Sequence, residues 1–213
     1  MIKSILLSAT LLALTGCQSA YYSTMEKVGY HKRDILVDRV ENAQDSQKDA
    51  QEQFKSALEQ FQSIVAFDGG ELEKVYNQLN DEYEASLEAA ENVTNRIEKV
   101  NDVAEALFEE WQDELEQYSN TRLKQQSATQ LRETRAQYDK LIRSMRKAES
   151  KMQPFLTSFK DNVLFLKHNL NASAIGALKG ELVNIQKNVD NLVQEMERSI
   201  KESDKFIESL KKS

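Results

Sequence analysis

The chain of 213 residues contains one proline, one cysteine, six glycines and two histidines. Each scarcity excludes something. A single proline is far below the roughly 5% of average usage, and a β-rich fold of this length needs many turns, which consume Gly and Pro. The composition therefore speaks against a sandwich, a barrel or a doubly wound sheet. It favours a few long helices rich in Ala, Glu, Leu, Lys and Gln. One cysteine leaves no partner for an internal disulfide and cannot build a Cys-based zinc site. His31 and His168 leave little material for metal or acid–base chemistry.

What is present begins with an address. Met1–Gly16 reads as a signal peptide: Lys3 gives a positive start, Ile5–Leu14 an apolar run, and small residues follow. The run is too short to span a bilayer, which takes about 20 apolar residues. It ends Leu14-Thr15-Gly16-Cys17, the pattern of a bacterial lipobox, in which a thiol behind a small residue is alkylated by diacylglycerol and becomes the new N-terminus. The only cysteine of the chain falls at that place. Two or three acyl chains on Cys17 give stable anchoring, unlike a single chain. Gln18, where an Asp commonly retains lipoproteins in the inner membrane, points to the periplasmic face of the Gram-negative outer membrane. Residues 17–23 then form the lipidated N-terminus and a short tether, and 24–213 a single helical domain.

The rest of the chain carries four helical patterns, expected at about 24–67, 71–118, 121–169 and 173–211. Ser23-Thr24-Met25-Glu26 fits a capping box, followed by Val40, Ala43, Gln47, Ala50, Phe54, Leu58, Phe61 and Val65. Asp68-Gly69-Gly70 marks a turn. The second pattern alternates by four and three through Leu72, Tyr76, Leu79, Tyr83, Ser86, Ala90, Val93, Ile97, Val100, Ala104, Leu107 and Trp111, a heptad seam. Its mixture of small and aromatic residues suits an antiparallel bundle in which large side chains face small ones. The third runs from Leu131 through Tyr138, Met145, Phe155 and Phe159 to Leu170, with Pro154 inside it. The unbroken phase around Pro154 predicts a kink rather than a domain boundary. The fourth runs from Ile175 to Leu210, with Asn171 or Ser173 as its cap.

The connection between Tyr118 and Leu131 decides the topology. A turn there gives an all-α, elongated antiparallel four-helix bundle. Without one, a central helix of about 100 residues would carry a shorter helix on each half. Thirteen residues rotate the apolar face by about 140°, and Ser119-Asn120-Thr121 offers a stop and a start in succession; both favour the turn. Charge agrees. Residues 71–120 hold 15 acids and 3 bases, and residues 121–160 hold 10 bases and 3 acids, blocks that neutralise one another best side by side.

Catalytic patterns are not found. A bundle di-iron centre needs Glu-x-x-His, and the positions three before His31 and His168 are Val28 and Phe165. There is no Walker loop and no Gly-x-Ser-x-Gly elbow. Acid pairs such as Glu109-Glu110 and Asp113-Glu114 fit a solvated face better than a glycosidase pair. Trp111 on the seam reads as core rather than as a ligand platform. No enzyme activity, cofactor or metal is expected.

Two surfaces remain. The basic block of Arg122, Lys124, Arg132, Arg135, Lys140, Arg143, Arg146 and Lys147 either pairs with the acidic second helix or meets anions. If the helices alternate up and down from Cys17, Arg122 and Lys124 return to the membrane end, near lipid phosphates, together with the interfacial Tyr21, Tyr22 and Tyr30. At the opposite end, Val163-Leu164-Phe165-Leu166 is apolar on every side of a helix and must be covered by something. With Phe67 and His168 it forms a candidate contact for a periplasmic partner protein; otherwise bundle ends pack more completely there and His168 serves the helix C-terminus. Export makes nucleic acid an unsuitable partner. Heptads can equally extend a bundle into a homo-oligomer.

The lipobox, the Gly29-Tyr30-His31-Lys32-Arg33-Asp34 stretch and the string from Phe165 through Leu166, Lys167, His168, Asn169, Leu170 and Asn171 to Ala172 resemble a proteobacterial domain-of-unknown-function family of helical, often lipobox-bearing envelope lipoproteins. The resemblance spans nearly the whole mature chain. It implies a helical envelope protein and brings no assigned activity. The murein-linked helical lipoproteins are similar only in heptads and anchor; they end in a Lys joined to peptidoglycan, whereas this chain ends Lys211-Lys212-Ser213. The expected role is that of a non-enzymatic structural or adaptor lipoprotein, the alternative a lipid- or polyanion-binding protein at the membrane surface. Replacing Cys17 with Ser should abolish incorporation of labelled palmitate in cells; incorporation that persists would remove the anchor from Cys17.

Overall fold

The computed structural model describes residues 31–66 and 71–212, and among them there is no strand. Four helices follow in order: α1 (Lys32–Val65), α2 (Leu72–Leu115), α3 (Thr121–His168) and α4 (Ala172–Lys212). At about 1.5 Å per residue, the 48 residues of α3 extend roughly 72 Å. Sequential helices pack side by side and α4 closes back on α1. The result is an elongated antiparallel four-helix bundle.

Local chemistry sets the ends. Thr24 and the capping box lie outside the described residues. His31, which falls inside the expected first helix, is extended at φ −79° and ψ 148°, and α1 starts behind it; Phe67 also lies outside the described residues. Asp34 in the first turn complements the positive end of the helix dipole. At the other end of α2, the N–H groups of Glu116 and Gln117 turn back to the Asp113 and Glu114 carbonyls. Asn120 then accepts from the N–H groups of Arg122 and Leu123 at 3.0 and 3.2 Å, a side-chain N-cap. This turn excludes the 100-residue central helix. Asn171 repeats the device for α4, accepting from the N–H groups of Ser173 and Ala174 at 3.0 and 3.2 Å. Asp68 lies outside the described residues, and Glu71 precedes α2 without a side-chain cap bond.

Each helix turns one apolar stripe inward. The stripes of α3 and α4 follow the heptad reading: Leu131, Tyr138, Leu141, Met145, Phe155 and Phe159 are buried, as are Ile185, Val189, Leu192, Met196 and Phe206. On α2 the middle of the stripe holds, but its ends shift. Val75 rather than Tyr76 is buried at the start, and Phe108 and Leu115 rather than Leu107 and Trp111 at the end. A helix of 3.6 residues per turn drifts about 20° per heptad against a strict seven-residue repeat, so a long seam hands over to its neighbours. Trp111 is half-buried and donates through Nε1 to Ser127 Oγ at 2.8 Å. α3 runs on as helix through Pro154, so no domain boundary falls there.

Aromatic rings fill the centre. Phe54 meets Phe155 edge-on at 5.2 Å and Phe61 meets Phe159 at 6.0 Å, contacts that reach diagonally from α1 to α3. Tyr138 lies between Phe108 and Phe206 at 5.4 and 6.2 Å, and its hydroxyl donates to Asn101 Oδ1 at 2.8 Å. Burial raises the Tyr138 hydroxyl well above the usual phenol range, and the nearby Glu105 adds to the effect. A phenol held neutral in the folded state contributes stability that is fully present below the unfolded pKa of about 10 and is lost as pH rises beyond it. Alkaline denaturation should therefore steepen above that pH. In Tyr138→Phe the slope should flatten, even though loss of the Asn101 bond lowers the plateau; an unchanged slope would assign the alkaline loss to other groups.

Candidate functional site

Cys17, Tyr21, Tyr22 and Tyr30, on which the anchoring end depends, lie outside the described residues, as does Phe67 at the opposite end. What the structure does place is the chemistry of the two ends of the bundle.

At the distal end, the α3–α4 corner divides the apolar run into two faces. Val163 and Leu166 point into the core, 3% and 0% exposed. Leu164 and Phe165 point out, 44% and 42% exposed, and Leu170 in the connecting turn joins them at 44%. Leu166 is thus a core residue rather than a surface contact: it stands on the inward stripe, three residues after Val163. The corner is held by its asparagines. Asn169 donates through Nδ2 to the Phe165 carbonyl at 2.8 Å, and its N–H bonds the Leu166 carbonyl at 3.1 Å. His168 is the last residue of α3 and is exposed.

An open groove of about 810 Å³ leads from this corner along the α3–α4 seam, with Phe165 at its rim. Pro154, Asn162, Leu178, Glu181 and Asn184 are among its walls. Pro154 has no N–H to give the Ser150 carbonyl one turn back, and Ser150 also lines the groove. Leu164, Leu170 and this groove are what the sequence did not separate from the core; a stripe count over Val163–Leu170 assigns inward and outward residues, but the groove needs both helices in place.

At the proximal end, Arg122 is exposed, and it shares a shallow groove with Glu133, Ser209 and Lys212. Antiparallel order brings the C-terminal lysine there, a neighbour that the linear sequence does not announce. Lys124 is held by Glu116 at 3.1 Å. Tyr118 and Leu123 are exposed at the same end.

The basic block does not zip onto the acidic α2. Lys124–Glu116 crosses from α3 to the α2 end. Arg135 instead donates to the Phe108 carbonyl at 3.0 Å and lies 5.3 Å over its ring. Lys147 reaches Glu195 on α4, and Arg146 pairs with Glu149 on its own helix. Arg132, Lys140 and Arg143 are exposed, and no ion pair is formed by them among the described residues. The two charge blocks face outward from neighbouring helices, because the inward positions are reserved for apolar side chains.

Among the described residues, no group of three or more His, Cys, Asp or Glu side chains could hold a metal ion. No helix among them is long and apolar enough to cross a membrane. The fold and its surfaces define a helical-bundle protein with an apolar corner at one end and a charged one at the other. The chain belongs to the DUF2959 family, proteins of unknown function, which it matches over residues 21–210. No curated protein and no solved structure matches it.

The division of the apolar run is open to measurement. Leu166→Ala should cost about 2–5 kcal/mol of folding stability, as for a buried leucine. Phe165→Ser should stay within about 0.5 kcal/mol. Chemical denaturation of the two variants reads both values; equal losses would return Phe165 to the core.

Proposed function

We propose that this protein is a non-enzymatic lipoprotein of the periplasmic face of the outer membrane, anchored through Cys17, and that its bundle is a rigid spacer presenting the distal corner to a periplasmic protein. The carrying observation is the exposed apolar set Leu164, Phe165 and Leu170, continuous with the α3–α4 groove and located at the end of the bundle opposite His31. Large side chains left in water at a helix corner are favourable material for a partner interface, where aromatic anchors contribute most. The lipobox supplies the anchor in this reading. Lys32 Nζ at the start of α1 meets Glu110 near the end of α2 at 2.9 Å, so in this reading the end of the bundle nearest the anchor is the one that also carries Arg122 and Lys212.

A second reading rests on Arg132, Lys140 and Arg143, exposed bases on the outer side of α3. They suit a polyanion or an anionic lipid surface, with attraction that salt would screen.

In-cell photo-cross-linking from position 164 should capture a discrete partner band, and Phe165→Ser should abolish it at unchanged helix content. If the band persists unchanged, the distal corner is not the contact. Loss of distal capture together with salt-dependent binding of the purified protein to anionic vesicles would move the function to the α3 face.

A further inference from the structure

The seam between the first and last helices is polar in a way the rest of the core is not. Gln44 on α1 donates through Nε2 to the Ile200 carbonyl at 3.3 Å and to Asp204 Oδ1 at 2.7 Å. One heptad later, Gln51 donates to the Val193 carbonyl at 3.1 Å. Steps of plus seven on α1 and minus seven on α4 lock two antiparallel helices in one register. Between these two clamps stands Gln47, which is 0% exposed. By that register, it faces the stretch of α4 between Val193 and Ile200, which holds Ser199, also 0% exposed.

Neither atom of the Gln47 amide has a hydrogen-bond partner, nor has Ser199 Oγ. Buried amides and hydroxyls are satisfied in nearly all folded proteins, and an unpaired buried group bears the full cost of its desolvation. The inward residues around the pair are small. Ala43 and Ala50 flank Gln47 on α1, and Ala148 on α3 lies beside Lys147, whose Nζ meets Glu195 on α4.

We propose that Gln47 and Ser199 form an internal hydration site, in which water is held inside the bundle on the α1–α4 seam. The chemistry selects water over an ion. The amide offers donor and acceptor, the hydroxyl offers both, and neither side chain carries a charge. A bare ion would lack a counter-charge, whereas a buried water needs two to four polar partners, which this pair provides. Ser86 Oγ is also buried without a partner, but one hydroxyl cannot supply that number. Water bound at this place leaves only when the α1–α4 seam opens, so its residence time reports the closure of the bundle.

The test counts long-lived internal waters by oxygen-17 relaxation dispersion on the full chain carrying Cys17→Ser. Gln47→Leu should lower the dispersion amplitude by at least one water, and Ser199→Ala should lower it or shorten the residence time, with helix content unchanged. If Gln47→Leu does not fold, Ser199→Ala, which deletes a single oxygen, gives the same readout. Amplitude and residence time unchanged in the folded variants would overturn the site. So would a crystal structure in which the Gln47 amide bonds directly to protein and Ser199 turns onto a carbonyl of its own helix.

Discussion

A helix in a four-membered bundle can hide only one stripe of its surface, and every other property of this molecule follows from which stripe that is. The stripe must stay in phase for more than forty residues on α2, α3 and α4, while the helix itself drifts against a strict heptad. The chain accommodates this by handing burial from one residue to the next, from Leu107 to Phe108 and from Trp111 to Leu115 on α2. The discarded positions are then half-exposed, and Trp111 uses its freedom to reach Ser127.

Filling the stripe alternates bulk with economy. Phenylalanines from diagonal helices meet in the core, at Phe54 with Phe155 and Phe61 with Phe159. Between them some inward residues are small, among them Ala43, Ala50, Ala148, Ser199 and Ser203, and small side chains leave volume for longer polar ones. The α1–α4 seam uses that room for glutamines that bond helix carbonyls. Those bonds favour a single register, because sliding by a turn would strand buried amides; apolar packing alone is less directional.

The remaining surface inherits its character from what the core did not take. Acids dominate the outside of α2 and bases the outside of α3, and few of them meet, since exposed pairs contribute only about 0.2–1 kcal/mol and cannot redirect a helix. The ends differ for a simpler reason. At the α3–α4 corner the residues beside the inward Val163 and Leu166 are also apolar, so Leu164, Phe165 and Leu170 remain outside. At the other end the start of α3 meets the end of α4, which gathers charge around Arg122 and Lys212.

Much of this is legible in the amino acids themselves. The scarcity of Gly and Pro determines helices, the three-four spacing determines the inward residues of α3 and α4 nearly one by one, and Ser119-Asn120-Thr121 determines the hairpin, because caps and periodicity are local properties of the backbone. Four features needed the assembled bundle. The start of α1 at Lys32, the burial of Leu166 beside exposed Phe165, the outward splay of the basic block, and the isolation of Gln47 between two clamped glutamines all depend on what lies across from each residue. A heptad position says that a side chain turns inward. Only the packed neighbours decide whether it finds a partner, a ring or a gap, because that depends on distances between helices that no stretch of one helix contains.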